Sequence, residues 1–461
     1  MATKGSALAA ARATAGLTQE NLAFALDVSV STLSRWENGL TKPLPPKRLK
    51  LAKLLHVSLV ELEKLLQRVR ENALDGVLAT SPSAGAGPLA SLSSGPTTSP
   101  RYAQSLDDAL SSLEAVARAD DGADMGHGIR MFEGRLPAQA VRAWRLGAED
   151  VDIPTAGVPA SVRDIDEITT TTTALDQLDR QFGGDYSRGL AVKYLTSRVL
   201  PILRRPASDS VRRELFQASA VLSEVIGYMA YDSQLHRLAQ HYFIQSLRLA
   251  KEAGNPAYGS FVFATMSHQA LYLDRPDQAL TLALAAQETA SSGSIAAVKT
   301  EAAMLEAAAC AALGDHKGST DALRRAEKSY DQHAPADETP YWMAHWDDAV
   351  FASFASSAWL ELGDVRAAEP YLRDLWDKTH GQVRRQVFAA GQRAKAALLE
   401  QDVEQCAHYG TMAAEAAAAS NSKRSHHVVR DLLSQLEGHR QLRPVRELTE
   451  TVATLLPSEA P

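Results

Sequence analysis

Between Leu74 and Tyr102 the chain stops supplying material for a core. The stretch SPSAGAGPLASLSSGPTTSP is Ser, Gly, Pro, Ala and Thr with few large apolar side chains. It cannot bury enough surface to offset the entropy of ordering it, so residues 74–102 are expected to form a flexible linker. Roughly 28 residues of this kind have a mean end-to-end distance of about 30 Å. The rest of a 461-residue chain must then fold on either side, as a short unit over 6–68 and a long one beyond the linker. Charge divides at the same place. Residues 1–70 hold eleven Lys/Arg against five Asp/Glu, +6 within a total of −7, which leaves −13 on the remainder. A basic head on an acidic body implies that only the head meets a polyanion.

Alanine is abundant and aromatics make up only 6%, which favours closely packed helices over sheet. The expected fold is all-α: a five-helix head, the linker, a connecting region over 105–160 with one helix at 105–118, and a helical repeat domain over 162–456. Gly183-Gly184, Gly254-Asn255, Gly314-Asp315 and Gly363-Asp364 read as helix stops. No apolar run approaches the roughly 20 residues that span a bilayer. Met1 to Ala10 lacks a signal-peptide pattern. Cys310 and Cys406 are the only cysteines, too few for a disulfide framework and fitting a reducing cytoplasm.

The head carries the most specific pattern, RATAGLTQENLAFALDVSVSTLSRWENGLTKP from Arg12 to Pro43. Leu8, Leu22, Ala23, Leu26, Val28, Leu33 and Trp36 are spaced to make one small core from three helices. Gly16 suits a left-handed stop after the first helix. Thr18 and Ser29 are placed to cap the second and third, with Asp27-Val28 as the turn between them. Ser58 and Glu61 form a capping-box pattern for the fifth. With Leu33 and Trp36 turned inward, Val30, Ser31, Ser34 and Arg35 form the outer face of helix 30–37.

The elements Leu17-Thr18-Gln19-Glu20, Val28-Ser29, Leu33-Ser34-Arg35-Trp36-Glu37-Asn38-Gly39 and Lys42-Pro43 resemble the Cro/C1-type (XRE) helix-turn-helix family of repressors over about 60 residues. Asp27 departs from the glycine common in that turn, and Asp tolerates the left-handed conformation well. The resemblance implies a sequence-specific DNA-binding regulator with helix 30–37 in the major groove. Arg35 suits bidentate bonding to guanine, worth about 1–3 kcal/mol of discrimination. Val30 suits a thymine methyl, and Ser31, Thr32 and Ser34 are further contacts. Gln19, Ser29, Asn38, Thr41 and Lys42 are expected on the phosphates. Arg12 and Glu37 match the family's internal salt bridge. Lys47, Arg48, Lys50 and Lys53 suit either phosphate contact or a solvated face.

The body repeats loosely. Helix–turn–helix cues recur at Asp274, Asp315 and Asp364, 41 and 49 residues apart, each followed by small Ala at expected crossing points. The pattern resembles tetratricopeptide (TPR) repeats, whose unit is nearer 34 residues. It also resembles the C-terminal regions of actinomycete regulators, on Ala230-Tyr231-Asp232, Ala239 to Ala250 and Met266 to Ala270. A curved solenoid offers a concave groove for a peptide, small molecule or protein. The candidate lining is Tyr228, Tyr231, His241, Tyr242, His268, Gln269 and Tyr272, with His236, Phe243, Tyr258 and Phe261. Tyr341, Trp342, His345 and Trp346 form a second cluster. The same residues equally suit packing between helices. Arg384-Arg385 and Lys423-Arg424 read as solvated surface.

No GxxxxGK[ST], GxGxxG, HExxH or GxSxG motif is present, so no catalytic residue, metal or cofactor is expected. His426-His427 are adjacent and point about 100° apart on a helix, a poor shared metal site. One small head reads few base pairs. A cytoplasmic, nucleoid-associated homodimer on a pseudo-palindromic double-stranded DNA operator is therefore expected. The acidic body is the expected dimerisation element, with help from Leu59, Leu62, Leu65 and Leu66. The alternative is a TPR scaffold acting through protein contacts, with DNA binding secondary.

Overall fold

The computed structural model describes residues 7–26, 28, 30–37, 45–55, 57, 61–62, 65, 102–103, 105–121, 136–146, 157–290, 295–331, 340–420 and 422–456. Of residues 74–102, expected as linker, only Tyr102 lies among them. All secondary structure of the described residues is helical. The chain divides into two compact units, residues 1–93 and 94–461.

The head contains α1 (Ala7–Thr14), α2 (Gln19–Leu26), α3 (Val30–Glu37) and α4 (Pro45–Leu54). Residues 61, 62 and 65 are also helical. Gly16 ends α1 at φ +72°, and its N–H bonds back to the Ala13 carbonyl. The Thr18 hydroxyl caps α2 by accepting from Asn21 N–H at 3.1 Å. Leu8, Leu22, Ala23, Leu26, Leu33 and Trp36 meet in one core with Leu51, Leu55 and Leu62. Leu62, expected as dimerisation surface, is 0% exposed. It packs into the head's own core, because a unit this small has few large apolar side chains with which to build one. Asp27, Ser29 and Ser58 lie outside the described residues.

The body opens with α5 (Leu106–Asp121) and α6 (Leu136–Leu146). The connecting region therefore carries two helices rather than one. Pro137 sits in the first turn of α6, where proline fits a helix. Leu110, Leu113, Val141 and Trp144 join the main body core, so the region belongs to the repeat domain. Then follow α7 (Val162–Phe182) and α8 (Gly184–Tyr194), which continues through a π turn at Leu195–Val199 into α9 (Leu200–Leu203).

Antiparallel pairs come next: α10 (Asp209–Asp232) with α11 (His236–Glu252), and α12 (Pro256–Tyr272) with α13 (Pro276–Ala290). They continue with α14 (Ala296–Ala312) and α15 (His316–Tyr330), α16 (Asp348–Glu361) and α17 (Val365–Lys378), α18 (Val383–Leu399) and α19 (Val403–Ala418). Two further helices, α20 (Lys423–Gln435) and α21 (Arg443–Leu455), end the domain.

One turn chemistry repeats inside the pairs. A residue at positive φ stops the first helix: Gln234 (62°), Asp274 (53°), Gly314 (72°), Gly363 (77°) and Gln401 (63°). Its N–H bonds to the carbonyl three residues back, and the next N–H reaches five residues back, as Asp315 does to Cys310. This satisfies carbonyls that a helix end leaves open. Asp315, Asp364 and Asp402 then cap the second helix by accepting from Gly318, Ala367 and Gln405 N–H. Buried serines draw partner helices close: Ser260 donates to the Ala286 carbonyl at 2.7 Å and Ser267 to that of Ala279 at 2.8 Å.

The turn residues stand 40, 40, 49 and 38 positions apart. The long interval has a structural cause. Between α15 and α16 the chain makes an additional excursion, whose described part runs from Pro340 to Asp347 and holds a 3-10 turn at Tyr341–Met343.

Candidate functional site

In the head, one carboxylate ties three helices together. Arg12 Nε of α1 lies 2.5 Å from Glu37 Oε1 of α3. Gln19 Nε2 of α2 donates to Glu37 Oε2 at 2.6 Å. Arg12 also donates to the Leu17 carbonyl at 2.8 Å. Glu37 is 3% exposed, so these are charge-assisted bonds in a low-dielectric setting. Gln19, expected on a phosphate, has its amide committed to Glu37. A buried carboxylate needs more than one donor, and Gln19 supplies the second. The pairing of Glu37 with Gln19 was not read from sequence, although its partners lie in the motif itself.

This clamp fixes how α3 presents its outer face. Leu33, Trp36 and Glu37 are buried on one side. Val30 is 41% exposed on the other, and Ser34 is half-buried. On α4, Lys50 and Lys53 are exposed. The backbone of Ser31, Thr32 and Arg35 lies within α3. Their side chains, and residues Ser29, Asn38, Thr41 and Lys42, lie outside the described residues.

In the body, the structure sorts the expected groove lining into two groups. His241 and Tyr242 are buried on α11, the second helix of its pair. Tyr242 donates its hydroxyl to Asp120 Oδ2 of α5 at 3.0 Å, and Arg188 of α8 pairs with the same carboxylate. Tyr242 thus holds the opening helices on the repeats. Gln269 is 2% exposed and donates to the His236 carbonyl. The remaining lining residues do converge. Tyr231 meets Tyr228, His236, His268 and Tyr272 at ring distances of 5.4–5.8 Å.

This ring cluster is covered by two arginines expected on the surface. Arg424 of α20 lies 4.8 Å from the Tyr231 ring, 5.3 Å from Tyr228 and 5.1 Å from Phe388. Arg384 of α18 bridges Asp179 Oδ2 of α7 at 3.1 Å and Asp232 Oδ1 of α10 at 2.8 Å. Ser422 Oγ donates to Asp232 as well, at 2.8 Å. Cation–π contact and ion pairing together compensate the burial of these guanidinium groups. The last repeats thereby close against the first. Burial drives His268 down to about 3, with the Arg424 charge adding to it, so its imidazole is neutral.

The second aromatic cluster packs on the lining. Trp342 lies 5.0 Å from Tyr258 and 5.5 Å from Phe261, and His345 lies 5.5 Å from Phe261. Trp346 stacks on Phe354 at 6.1 Å. The Pro340–Asp347 excursion therefore turns inward onto the first helices. No helix among the described residues is long and apolar enough to cross a membrane. No group of metal-ligating side chains occurs among them either.

The head is thus a helix-turn-helix domain, and the body is an all-helical, repeat-like domain. Comparison with known families agrees: residues 8–62 match a family model described as helix-turn-helix. No curated protein and no solved structure matches the chain. A head of this type supports a DNA-binding regulator.

Proposed function

We propose that the protein is a sequence-specific transcriptional regulator acting from the cytoplasm on double-stranded DNA, by binding rather than catalysis. It places α3 in the major groove of a pseudo-palindromic operator, with Arg35, Ser31 and Ser34 as base readers and Val30 against a thymine methyl. Thr32, Ser29, Asn38, Thr41 and Lys42 hold the backbone. Gln19 acts one step back, by holding Glu37 and so the pitch of α3. The supporting observation is the Arg12–Glu37–Gln19 clamp, which locks α3 with its core face buried and Val30 outward.

The operator requires two heads, so the protein acts as a homodimer, with the TPR-like body as dimerisation and effector-sensing element. Gel-shift titration of full-length Arg35→Ala tests the assignment. Specific affinity is expected to fall by at least about tenfold with the melting temperature unchanged. Equal affinity for the selected operator would remove Arg35 from the interface. A wild type with no preference over random DNA would favour the scaffold reading.

A further inference from the structure

Two buried carboxyl groups of the body, Glu224 and Glu301, form no ion pair among the described residues. Glu301 of α14 stands thirteen residues before its turn residue, Gly314. Phe261 precedes Asp274, and Phe388 precedes Gln401, by the same interval. Phe261 packs on Trp342 and His345, and Phe388 lies beneath Arg424. The shared register turns Glu301 onto the same inward face. Glu301 is 6% exposed, and its Oε2 has no hydrogen-bond partner among the described residues. Glu224 of α10 is also 6% exposed and accepts from the Thr265 hydroxyl of α12 at 3.3 Å.

The nearby cation Arg180 of α7 is engaged by Asp176 at 2.9 and 3.1 Å. Burial pushes both carboxyls up to about 8. Glu224 adds to the effect on Glu301. For Glu224, Asp176 and Asp179 push further, while Thr265 and Arg180 oppose. An uncompensated buried carboxyl is costly, and such costs are kept where a ligand offsets them. Tyr258, which feels the Glu224 charge, packs with Phe261 and Trp342 as a continuous set of rings.

We propose that Glu224 and Glu301 are the anionic end of an effector site for an organic cation, a primary ammonium or guanidinium carried on an apolar or aromatic body. The carboxylates pair with the charged head, and Tyr258, Phe261 and Trp342 flank it through their ring faces. The site rests on the reading that the body senses an effector. Binding shifts the carboxyls toward the ionised form, so it releases protons and tightens as pH rises.

The test is thermal melting of the full-length wild type, Glu301→Gln and Glu224→Gln, at about pH 7 and about pH 9. Each is measured alone and with tyramine, agmatine or spermidine at matched ionic strength. An acid whose folded pKa is raised loses stability as pH climbs through that pKa. Glu301→Gln is therefore expected to melt above wild type, by more at the higher pH. At least one probe is expected to raise the wild-type melting temperature, and both substitutions to abolish that rise.

Melting of Glu301→Gln below wild type at both pH values would make Glu301 a structural residue and overturn the proposal. Absence of a shift with every probe would also overturn it. DNA affinity with and without the stabilising probe separates the two readings: an unchanged affinity refutes effector control while the cation site stands.

Discussion

Replacing Arg12 by methionine keeps the aliphatic stem and removes only the guanidinium. Among the described residues, buried Glu37 then keeps one donor, Gln19. Removing one partner of a buried ion pair costs about 3–5 kcal/mol, because the survivor remains desolvated. Arg12 is 17% exposed against 5% for Glu37, so water relieves part of this, and about 2.5 kcal/mol is expected. A head of about 60 residues has about 3–9 kcal/mol in all. The loss is a large share of that.

The assay is amide hydrogen exchange on the full-length protein, read over α1 to α3. Protection should fall by about 60-fold, one decade per 1.4 kcal/mol, while the body is unchanged. Adding Glu37→Gln should recover about 1 kcal/mol, because no charge is then left buried. A change below about threefold in Arg12→Met would refute the reasoning. So would a double variant less protected than the single one.

Arg384→Met removes the guanidinium that Asp179 and Asp232 share, and the body should lose about 3 kcal/mol of stability. Asp179 is already held above the usual carboxylate range by burial, so the loss should be greater at about pH 8 than at about pH 5 in thermal melts. Gly184→Ala would set a methyl 2.2 Å from the Met229 carbonyl oxygen; a cost of about 2–3 kcal/mol should show in chemical denaturation. Gln401 sits at φ +63° without being glycine, so Gln401→Gly should raise stability by about 0.5–1 kcal/mol in the same assay.

The head was legible because its signals are local. Gly16 and Thr18 act within a few residues of their own position, Leu33 and Trp36 follow helical spacing, and the core they define is the one observed. Repeat turns were legible where glycine or aspartate marks them, at Asp274, Gly314 and Gly363. The equivalent turns at Gln234 and Gln401 were missed, because tertiary packing holds glutamine in a conformation it does not favour. Helix α6 was missed because Gly/Pro punctuation around it reads as loop.

Arg384 and Arg424 were misread for a different reason. Their partners Asp179, Asp232 and Tyr228 lie about 150–205 residues away in sequence, and no local pattern reports them. Of the residues expected to line a groove, Tyr228, Tyr231, His268 and Tyr272 cluster, whereas Tyr242 and Gln269 are engaged elsewhere. Register alone does not reveal that Tyr242 faces Asp120 while Tyr231 faces Arg424.

The bonds that join α18 and α20 to α7 and α10 also govern how the body unfolds. An open array of helix pairs frays from its ends, because each pair contacts only its neighbours. Here the last repeats are fastened to the first by Arg384, Ser422 and Arg424 across sequence separations of 190–205 residues. Neither end can peel away without breaking buried charge pairs at the other. The body should therefore melt in one cooperative step. It should also fold slowly for a helical protein, since its closing contacts form only after nearly the whole domain has been ordered.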